Sequence, residues 1–294
     1  MKIAIYGQFY SNRSEQTIAK LLNLLDRADL NVHIEHQFHE LLIKDPKLSI
    51  SDHFKTFNEL DASFDLFVSI GGDGTILRAA TFVKDLAIPI VGINTGRLGF
   101  LATVQIENLE KAFDDILNGH YKISERSLLE FETNPSHPNA FEDFNFALND
   151  IAISRNNTTS MITVETKLNG EYLTSYWADG LIISTPTGST GYSLSCGGPV
   201  IMPEADSFIL TPIAPHNLSA RPLVIPGSTE ITLKVSGREE DYLVSLDSRL
   251  ATIENSYTLI IKKAPFCIKL IELHDVSFLD TLRKKLLWGE DKRN

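Results

Sequence analysis

Gly71-Gly72-Asp73-Gly74-Thr75 sets one carboxylate among three glycines. Without a Cβ, glycine lets the backbone turn sharply and come close to a ligand. A helix-compatible run, Ile76 to Lys84, follows, and a helix N-terminus offers unpaired N–H groups and the positive end of a dipole to an anion. An aspartate inside such a loop would repel phosphate unless it holds a metal ion or takes a proton from an incoming hydroxyl. Both roles belong to phosphoryl transfer. Taken alone, the motif also fits a glycine-rich strand-to-helix turn with a capping aspartate. The chain carries neither G-x-x-x-x-G-K-[ST] nor G-x-G-x-x-G. That excludes a P-loop enzyme and removes the best support for a hydride-transferring dehydrogenase.

A second chemical stretch runs from Asp179-Gly180 through Thr185-Pro186-Thr187-Gly188-Ser189-Thr190-Gly191-Tyr192-Ser193-Leu194-Ser195-Cys196-Gly197-Gly198-Pro199. Glycine and proline interleaved with hydroxyl residues rule out a regular strand there. They make a tightly folded surface rich in N–H and O–H donors, a mould for ribose or pyrophosphate, and Tyr192 can stack on a planar base. Such clusters are often only solvated loops, but the segment from Thr185 to Pro199 follows an apolar strand and contains no charged residue. Asn149-Asp150 offers acceptors and donors to a ribose diol. Adjacent residues on a regular strand point to opposite faces, so both serve only at a strand end or bulge. By itself such a pair is most often a turn.

The elements that must carry these residues divide in two. Over the first ~120 residues strand and helix signals alternate, as in a mostly parallel sheet flanked by helices. Lys2 to Tyr6 reads as a strand, Ser14 to Leu30 as a helix with Ser14 at its N-cap, and Asn31 to Phe38 as a half-buried strand. Phe64 to Ile70 and Ile88 to Ile93 are near-continuous apolar runs, the mark of strands buried on both faces. A helix from Glu107 to Leu117 closes this half. From Leu128 onward short alternating runs dominate: Ile151–Ser154, Ile162–Leu168, Leu181–Ser184, Ile231–Val235, Tyr242–Leu246, Tyr257–Lys263 and Phe266–Ile271. Turn signals such as Asn169-Gly170 separate them. The fold class is therefore an α/β N-terminal domain with a mostly parallel sheet, over residues 1–124, plus an all-β sandwich C-terminal domain, over residues 125–275. A last helix, within 276–294, brings Phe278, Leu279, Leu282, Leu286 and Leu287 to one face and packs on one of the domains.

Composition narrows the function classes. With 294 residues, 43% of them hydrophobic and 22% charged, the chain reads as an ordinary globular protein of two cores. No apolar run is long enough for a membrane span, and the N-terminus reads as a strand, not a signal peptide. Two cysteines, Cys196 and Cys267, give no disulfide framework and no metal-ligand spacing, so a reducing cytoplasm is expected. A formal net charge of −11 with scattered basic residues disfavours nucleic acid as a partner. It also means that polyphosphate must be met by backbone N–H groups, a metal ion and a few placed cations. No dedicated metal cage is legible.

Gly71–Thr75, Asn94-Thr95-Gly96-Arg97-Leu98-Gly99-Phe100-Leu101, Ala147-Leu148-Asn149-Asp150, Asp179 through Pro199, and His216-Asn217-Leu218-Ser219-Ala220-Arg221-Pro222-Leu223 together resemble the NAD kinases, in that family's order and spacing. The Gly-Gly-Asp-Gly signature alone is shared with diacylglycerol kinases and 6-phosphofructokinases; the hydroxyl–glycine loop followed by His216–Leu223 is more particular. The resemblance implies a cytoplasmic enzyme that moves the terminal phosphoryl group of ATP to the 2′-hydroxyl of the adenosine ribose of NAD. It also implies a divalent cation, Mg²⁺, arriving with ATP, a NAD site between the two domains, and a homo-oligomer, dimer or tetramer. By the same resemblance Asp73 orients or deprotonates the acceptor hydroxyl, with Gly74 beside it. Asn149 and Asp150 hold ribose hydroxyls, Asp179 meets the nicotinamide end, and Thr190, Gly191, Tyr192, Ser193, Leu194 and Ser195 line the dinucleotide. Phe100 lies near the adenine. Arg78, one helical turn past Thr75, fits either a phosphate contact or an exposed helix arginine. Three departures stand out. Gly191 replaces the family's usual alanine, Asp150 its commoner glutamate, and Asp247-Ser248 a pattern ending in Asp-Gly, which puts positive φ at residue 248 in question. A lipid or sugar kinase of the same superfamily, or a dinucleotide sensor without turnover, are the rival readings.

Overall fold

The computed structural model describes residues 1–7, 15–27, 30–48, 50–137, 141, 144–156 and 160–288. The chain forms two compact units, Met1–Glu125 with Ile268–Asn294, and Arg126–Cys267.

The first unit contains β1 (Lys2–Gly7), α1 (Glu15–Arg27), β2 (Asn31–Glu35), α2 (His36–Ile43), β3 (Lys55–Phe57), β4 (Leu66–Gly71), α3 (Asp73–Val83), β5 (Ile90–Asn94) and α4 (Leu109–Leu117). Its strands pair in parallel in the order β5-β4-β1-β2-β3. Alternation sorts the side chains. Ile3, Ile5, Val32, Ile34, Val68 and Ile70 share a core with Ile18, Leu21 and Leu25 of α1 and with Leu109, Phe113 and Ile116 of α4. The alternate positions Tyr6 and Phe67 meet Phe82 of α3, with ring centroids 5.0 and 6.2 Å away. Burial on both faces is why β4 and β5 read as unbroken apolar runs.

The expected strand Asn31–Phe38 is shorter. It ends at Glu35, whose carboxylate accepts the N–H groups of Gln37 (3.1 Å) and Phe38 (2.8 Å) and so caps α2. His36 and Phe38 alternate as a strand would, but the local cap wins because it satisfies two otherwise unpaired donors. Ser14, expected as the cap of α1, lies outside the described residues.

The second unit adds β6 (Tyr121–Asn134), β7 (Phe146–Ala147), β8 (Asp150–Arg155), β9 (Ile162–Leu168), β10 (Glu171–Ala178), β11 (Gly180–Ser184), the one-turn α5 (Tyr192–Ser195), β12 (Ser207–Ile213), β13 (Leu223–Pro226), β14 (Ile231–Ser236), β15 (Asp241–Leu246), β16 (Arg249–Glu254) and β17 (Thr258–Leu273). One antiparallel sheet runs β10-β9-β14-β17, with β6 also on β17. The other runs β13-β12-β11-β8-β15-β16. Val164, Leu233 and Ile261 of the first share a single core with Ile153, Leu181, Ile183 and Val244 of the second, so the unit is a sandwich. Asn169 (φ 50°) and Gly170 (φ 83°) form the two-residue β9–β10 turn, in the doubly left-handed geometry that Asn-Gly favours.

Tyr257–Lys263 and Phe266–Ile271, read from the sequence as two strands, are the single strand β17. Leu270 near its end pairs in parallel with Ile90 of β5, so the units divide at residue 267 where the sequence reading divides at 275. The last helix, α6 (Phe278–Leu286), is capped by Ser277, whose hydroxyl accepts the Asp280 N–H. It packs within the first unit. Leu282 is buried, whereas Leu279 and Leu287 are exposed, because the helix covers only a narrow strip. No helix among the described residues is long and apolar enough to cross a membrane.

Candidate active site

In the first unit β4 delivers the chain to Gly71, whose φ of 153° and contact with Thr75, 2.1 Å from an added Cβ, suit glycine only. Helix α3 then starts at Asp73. The Asp73 carboxylate does not cap its own helix. It reaches across to the loop after β5, where Oδ2 accepts the Phe100 N–H (2.8 Å) and Oδ1 accepts those of Leu101 (2.9 Å) and Ala102 (3.0 Å). A carboxylate has about four acceptor positions, so three are used and one remains, on Oδ2. Asn94 shapes the same loop from inside, donating from Nδ2 to the carbonyls of Arg97 (2.8 Å) and Ala102 (3.2 Å) while Oδ1 accepts the Gly96 N–H.

Around Asp73, Gly74 is exposed, and nothing stands within 4 Å of where its Cβ would be. Phe100 is half-buried, its ring 6.0 Å from that of Phe278 and 5.5 Å from Lys285 Nζ. Arg78 turns to the Tyr6 hydroxyl. Burial pushes that hydroxyl's pKa up, and the nearby guanidinium and its hydrogen bond partly offset the rise.

In the second unit Asn149 immediately precedes β8 and Asp150 opens it. Their side chains nonetheless converge: an added Cβ on Gly191 would lie 3.4 Å from Asn149 Nδ2 and 3.8 Å from Asp150 Oδ2. The hydroxyl–glycine loop is moulded onto this spot. Thr185 donates its N–H to the Asn149 carbonyl (2.9 Å) and its hydroxyl to that of Leu148 (2.6 Å), and accepts the Gly188 N–H (3.1 Å). An added Cβ at Gly188 would stand 2.0 Å from the Asn149 carbonyl oxygen, so only glycine allows this contact.

Asp150 is 5% exposed. Burial, and then the charge of Asp247, push its carboxyl up to about 7. Asp247 is also raised by burial, but the N–H groups of Leu148 and Asn149, the Arg249 guanidinium and the Asp150 N–H all pull it back. The donors around Asp247 hold its carboxyl back, whereas burial and the neighbouring carboxylate both push Asp150 up. Asn149 Oδ1 is buried with no hydrogen-bond partner among the described residues.

Past Asn149, many of the loop's hydroxyls hold the loop itself. Ser189 Oγ donates to the Ile201 carbonyl and accepts its N–H (3.3 and 3.0 Å). Thr190 Oγ1 donates to the Thr187 carbonyl (3.2 Å), and Ser193 pairs with Thr211 (2.8 Å) in the interior. Buried hydroxyls need such partners, so the donor-rich surface expected from composition is narrower than the sequence suggests. Tyr192 and Ser195 are exposed and Leu194 is half-buried. The Tyr192 hydroxyl bonds Cys196; burial, and then Cys196, Asp150 and Asp179, raise its pKa. Asp179 is held by Arg155, Nε to Oδ1 2.8 Å.

Asn149, Asp150, Asp179 and Tyr192 thus gather in one unit, while Asp73, Gly74 and Phe100 gather in the other. Two contributors gain roles that the sequence did not assign them: Cys196 beside Tyr192, and Asp247 under Asn149. The positive φ questioned at residue 248 sits instead at Asp247 (54°), a residue type that tolerates it. Among the described residues no group of three or more His, Cys, Asp or Glu side chains could hold a metal ion.

The profile of the ATP-NAD kinase N-terminal domain matches residues 6–121, and that of the ATP-NAD kinase C-terminal domain matches residues 148–273. The NAD kinase of Christiangramia forsetii is 60% identical with both chains covered in full, and that of Bacteroides fragilis is 43% identical with the same coverage. Among solved structures, an NAD kinase from Archaeoglobus fulgidus in complex with ATP matches with a TM-score of 0.75 at 26% identity, covering 98% of this chain and 99% of its own. The yeast NADH kinase complexed with NADH matches with a TM-score of 0.86 at 24% identity, covering 99% of this chain and 89% of its own.

Proposed function

The chain belongs to the NAD kinase family, and we propose that it transfers the terminal phosphoryl group of ATP to the 2′-hydroxyl of the adenosine ribose of NAD, giving NADP and ADP. The observation that carries the assignment of Asp73 is its carboxylate, fixed by three backbone donors with one acceptor position left on Oδ2. That position receives the 2′-hydroxyl proton and aims the oxygen at the γ-phosphorus. The new O–P bond forms as the bond to the β,γ-bridging oxygen breaks, and ADP leaves with that oxygen. The transition state is loose, so little nucleophile activation is needed and alignment supplies most of the rate. Proton transfer to Asp73 comes late.

Asn149 and Asp150 hold ribose hydroxyls, a role the unpartnered Asn149 Oδ1 supports. Asp179 meets the nicotinamide end, Thr190, Gly191, Tyr192, Leu194 and Ser195 line the dinucleotide with Tyr192 exposed for stacking and Ser193 anchoring the turn beneath, and Phe100 faces the adenine. Gly74 leaves room for phosphate. Arg78 is assigned a supporting place on Tyr6, with the phosphate contact expected from its helix position as the alternative use of the same side chain. The divalent cation, Mg²⁺, enters as part of the ATP substrate. A cytoplasmic location and a homo-oligomeric state, dimer or tetramer, complete the proposal.

The test is NADP formation by the purified chain with NAD, ATP and Mg²⁺, beside Asp73→Asn. Turnover in the wild type, with kcat reduced about 10²–10³-fold in a variant that still binds NAD, is the expected result. NAD binding without NADP formation would sink the kinase assignment in favour of a sensor, and an undiminished variant would sink the role of Asp73.

A further inference from the structure

We infer that Asp247, at the tip of the β15–β16 hairpin, is a positioning residue for the dinucleotide, fixing the Asn149–Asp150 pair in the arrangement that receives ribose hydroxyls. The inference rests on the reading that this pair binds NAD.

The tip grips residues 144–150 by both polarities of their backbone. The Asp247 carboxylate accepts the N–H groups of Leu148 (3.0 Å), Asn149 (2.8 Å) and Asp150 (3.3 Å), while its own N–H donates to the Asp150 carbonyl (2.9 Å). Two residues on, Arg249 donates to the carbonyls of Phe144 (2.5 Å) and Phe146, with its Nη2 3.7 Å from Asp247 Oδ2. In an extended strand, successive N–H groups alternate in direction and successive side chains take opposite faces. Three consecutive N–H groups converging on one carboxylate require the backbone to curl. That curl is what lets Asn149 Nδ2 and Asp150 Oδ2 both approach Gly191.

A hairpin has no need of such a residue. Asp247 sits at φ 54° with its side chain 4% exposed, and a turn of this length forms readily with Asn-Gly or Asp-Gly left in solvent. A buried carboxylate is costly unless hydrogen-bonded, and its backbone hydrogen bonds here go to the segment bearing Asn149 and Asp150, with the Arg249 guanidinium adding to them. The charge on Asp247 has a second effect, since it raises the pKa of Asp150.

Steady-state kinetics of full-length Asp247→Asn and Asp247→Glu test this, with Asn149→Ala and Asp150→Asn measured alongside. An asparagine accepts through one oxygen only and presents its NH₂ to an N–H donor. The expected result is a rise in KM for NAD of about tenfold or more in Asp247→Asn, KM for ATP unchanged within about twofold, and partial recovery in Asp247→Glu, which restores the carboxylate. A scaffold role alone would lower thermal stability without separating the two KM values. Should Asp247→Asn not fold, Arg249→Lys, which keeps the charge and loses the forked contacts, must raise KM for NAD selectively. Unchanged KM for NAD in folded Asp247→Asn, or in Arg249→Lys in its place, overturns the inference if the Asn149 and Asp150 variants do raise it. If those two variants leave it unchanged, the assignment of the pair as the NAD site fails, and the inference with it.

Discussion

Gly99 lies directly beneath Asp73: a Cβ added to Gly99 would stand 2.0 Å from Oδ1 and 2.7 Å from Cγ of the carboxylate. The carboxylate reaches the N–H groups of residues 100–102 only because position 99 has no side chain. Gly99→Ala must push Asp73 off these donors, and since Gly99 does not have a left-handed φ, the effect is steric and not a matter of backbone strain. The expected loss in kcat is about 10²-fold, with circular dichroism unchanged. Retained kcat in Gly99→Ala would mean that the fixed position of Asp73 is not what drives the reaction.

Two glycines of the hydroxyl–glycine loop should respond to different degrees. At Gly188 an added Cβ meets the backbone of Asn149, with oxygen, carbon and Cα at 2.0, 2.4 and 2.7 Å. No rotamer relieves a clash with backbone, so Gly188→Ala should cost about 1–3 kcal/mol in denaturant unfolding and raise KM for NAD. At Gly191 the nearest atom is 3.2 Å away, so a smaller shift suffices and Gly191→Ala should cost less than Gly188→Ala. Equal damage from the two substitutions would contradict the loop geometry.

If Asp150 holds a ribose hydroxyl as proposed, stability and substrate affinity should both depend on pH, in opposite senses. Burial, and then Asp247, push the Asp150 carboxyl up to about 7 in the folded chain, against 3.8 for an unperturbed aspartate. Between those values the unfolded chain has released a proton that the folded chain keeps, so stability of the free protein falls as pH rises through this window and levels off above it. The groups facing it are Asp247, whose charge raises the Asp150 carboxyl, and Tyr192 and Cys196, both shifted upward and uncharged there. Ribose hydroxyls donate better to a carboxylate than to a carboxylic acid. KM for NAD should therefore fall from about pH 6 to about pH 8, with the dependence lost in Asp150→Asn, which cannot ionise. A pH profile identical in Asp150→Asn would remove Asp150 as its source.

Glu35 supplies a prediction about the fold alone. Its carboxylate caps α2 through Gln37 and Phe38, so Glu35→Ala should lower unfolding free energy by about 1 kcal/mol, read from the denaturant midpoint. Both KM values should stay put. A change in KM for NAD would show that the cap acts beyond its helix.

Features confined to a few neighbouring residues were open to sequence reasoning. The Gly71–Thr75 turn is set by glycine geometry and the buried strand before it, and the Asn169-Gly170 hairpin by two residues that accept positive φ. Where local signals competed, the pattern misled: His36 and Phe38 alternate like a strand, yet Glu35 diverts the chain into a helix. The two expected strands ending at Ile271 are one because nothing between them, in the Ala264-Pro265 region, breaks the ladder. The partner of Asp73 was visible only as a similar segment at Asn94–Leu101, since its contacts span 27–29 residues. Asp247 was noticed only for the turn it occupies, because its bonds go to residues 97–99 positions earlier and no periodicity encodes a pairing of that range.

The division of the chain also orders its maturation on the ribosome. Arg126–Cys267 is one contiguous stretch, whereas the first unit draws on Ile268 onward, including Leu270 beside Ile90 and Phe278 beside Phe100. As synthesis proceeds from the N-terminus, the sandwich has all its strands available while the segment carrying Asp73 still lacks an outer strand and a covering helix. The unit that begins first is thus the last to be completed, and the hydroxyl–glycine loop takes shape before the Asp73 carboxylate has its full surroundings.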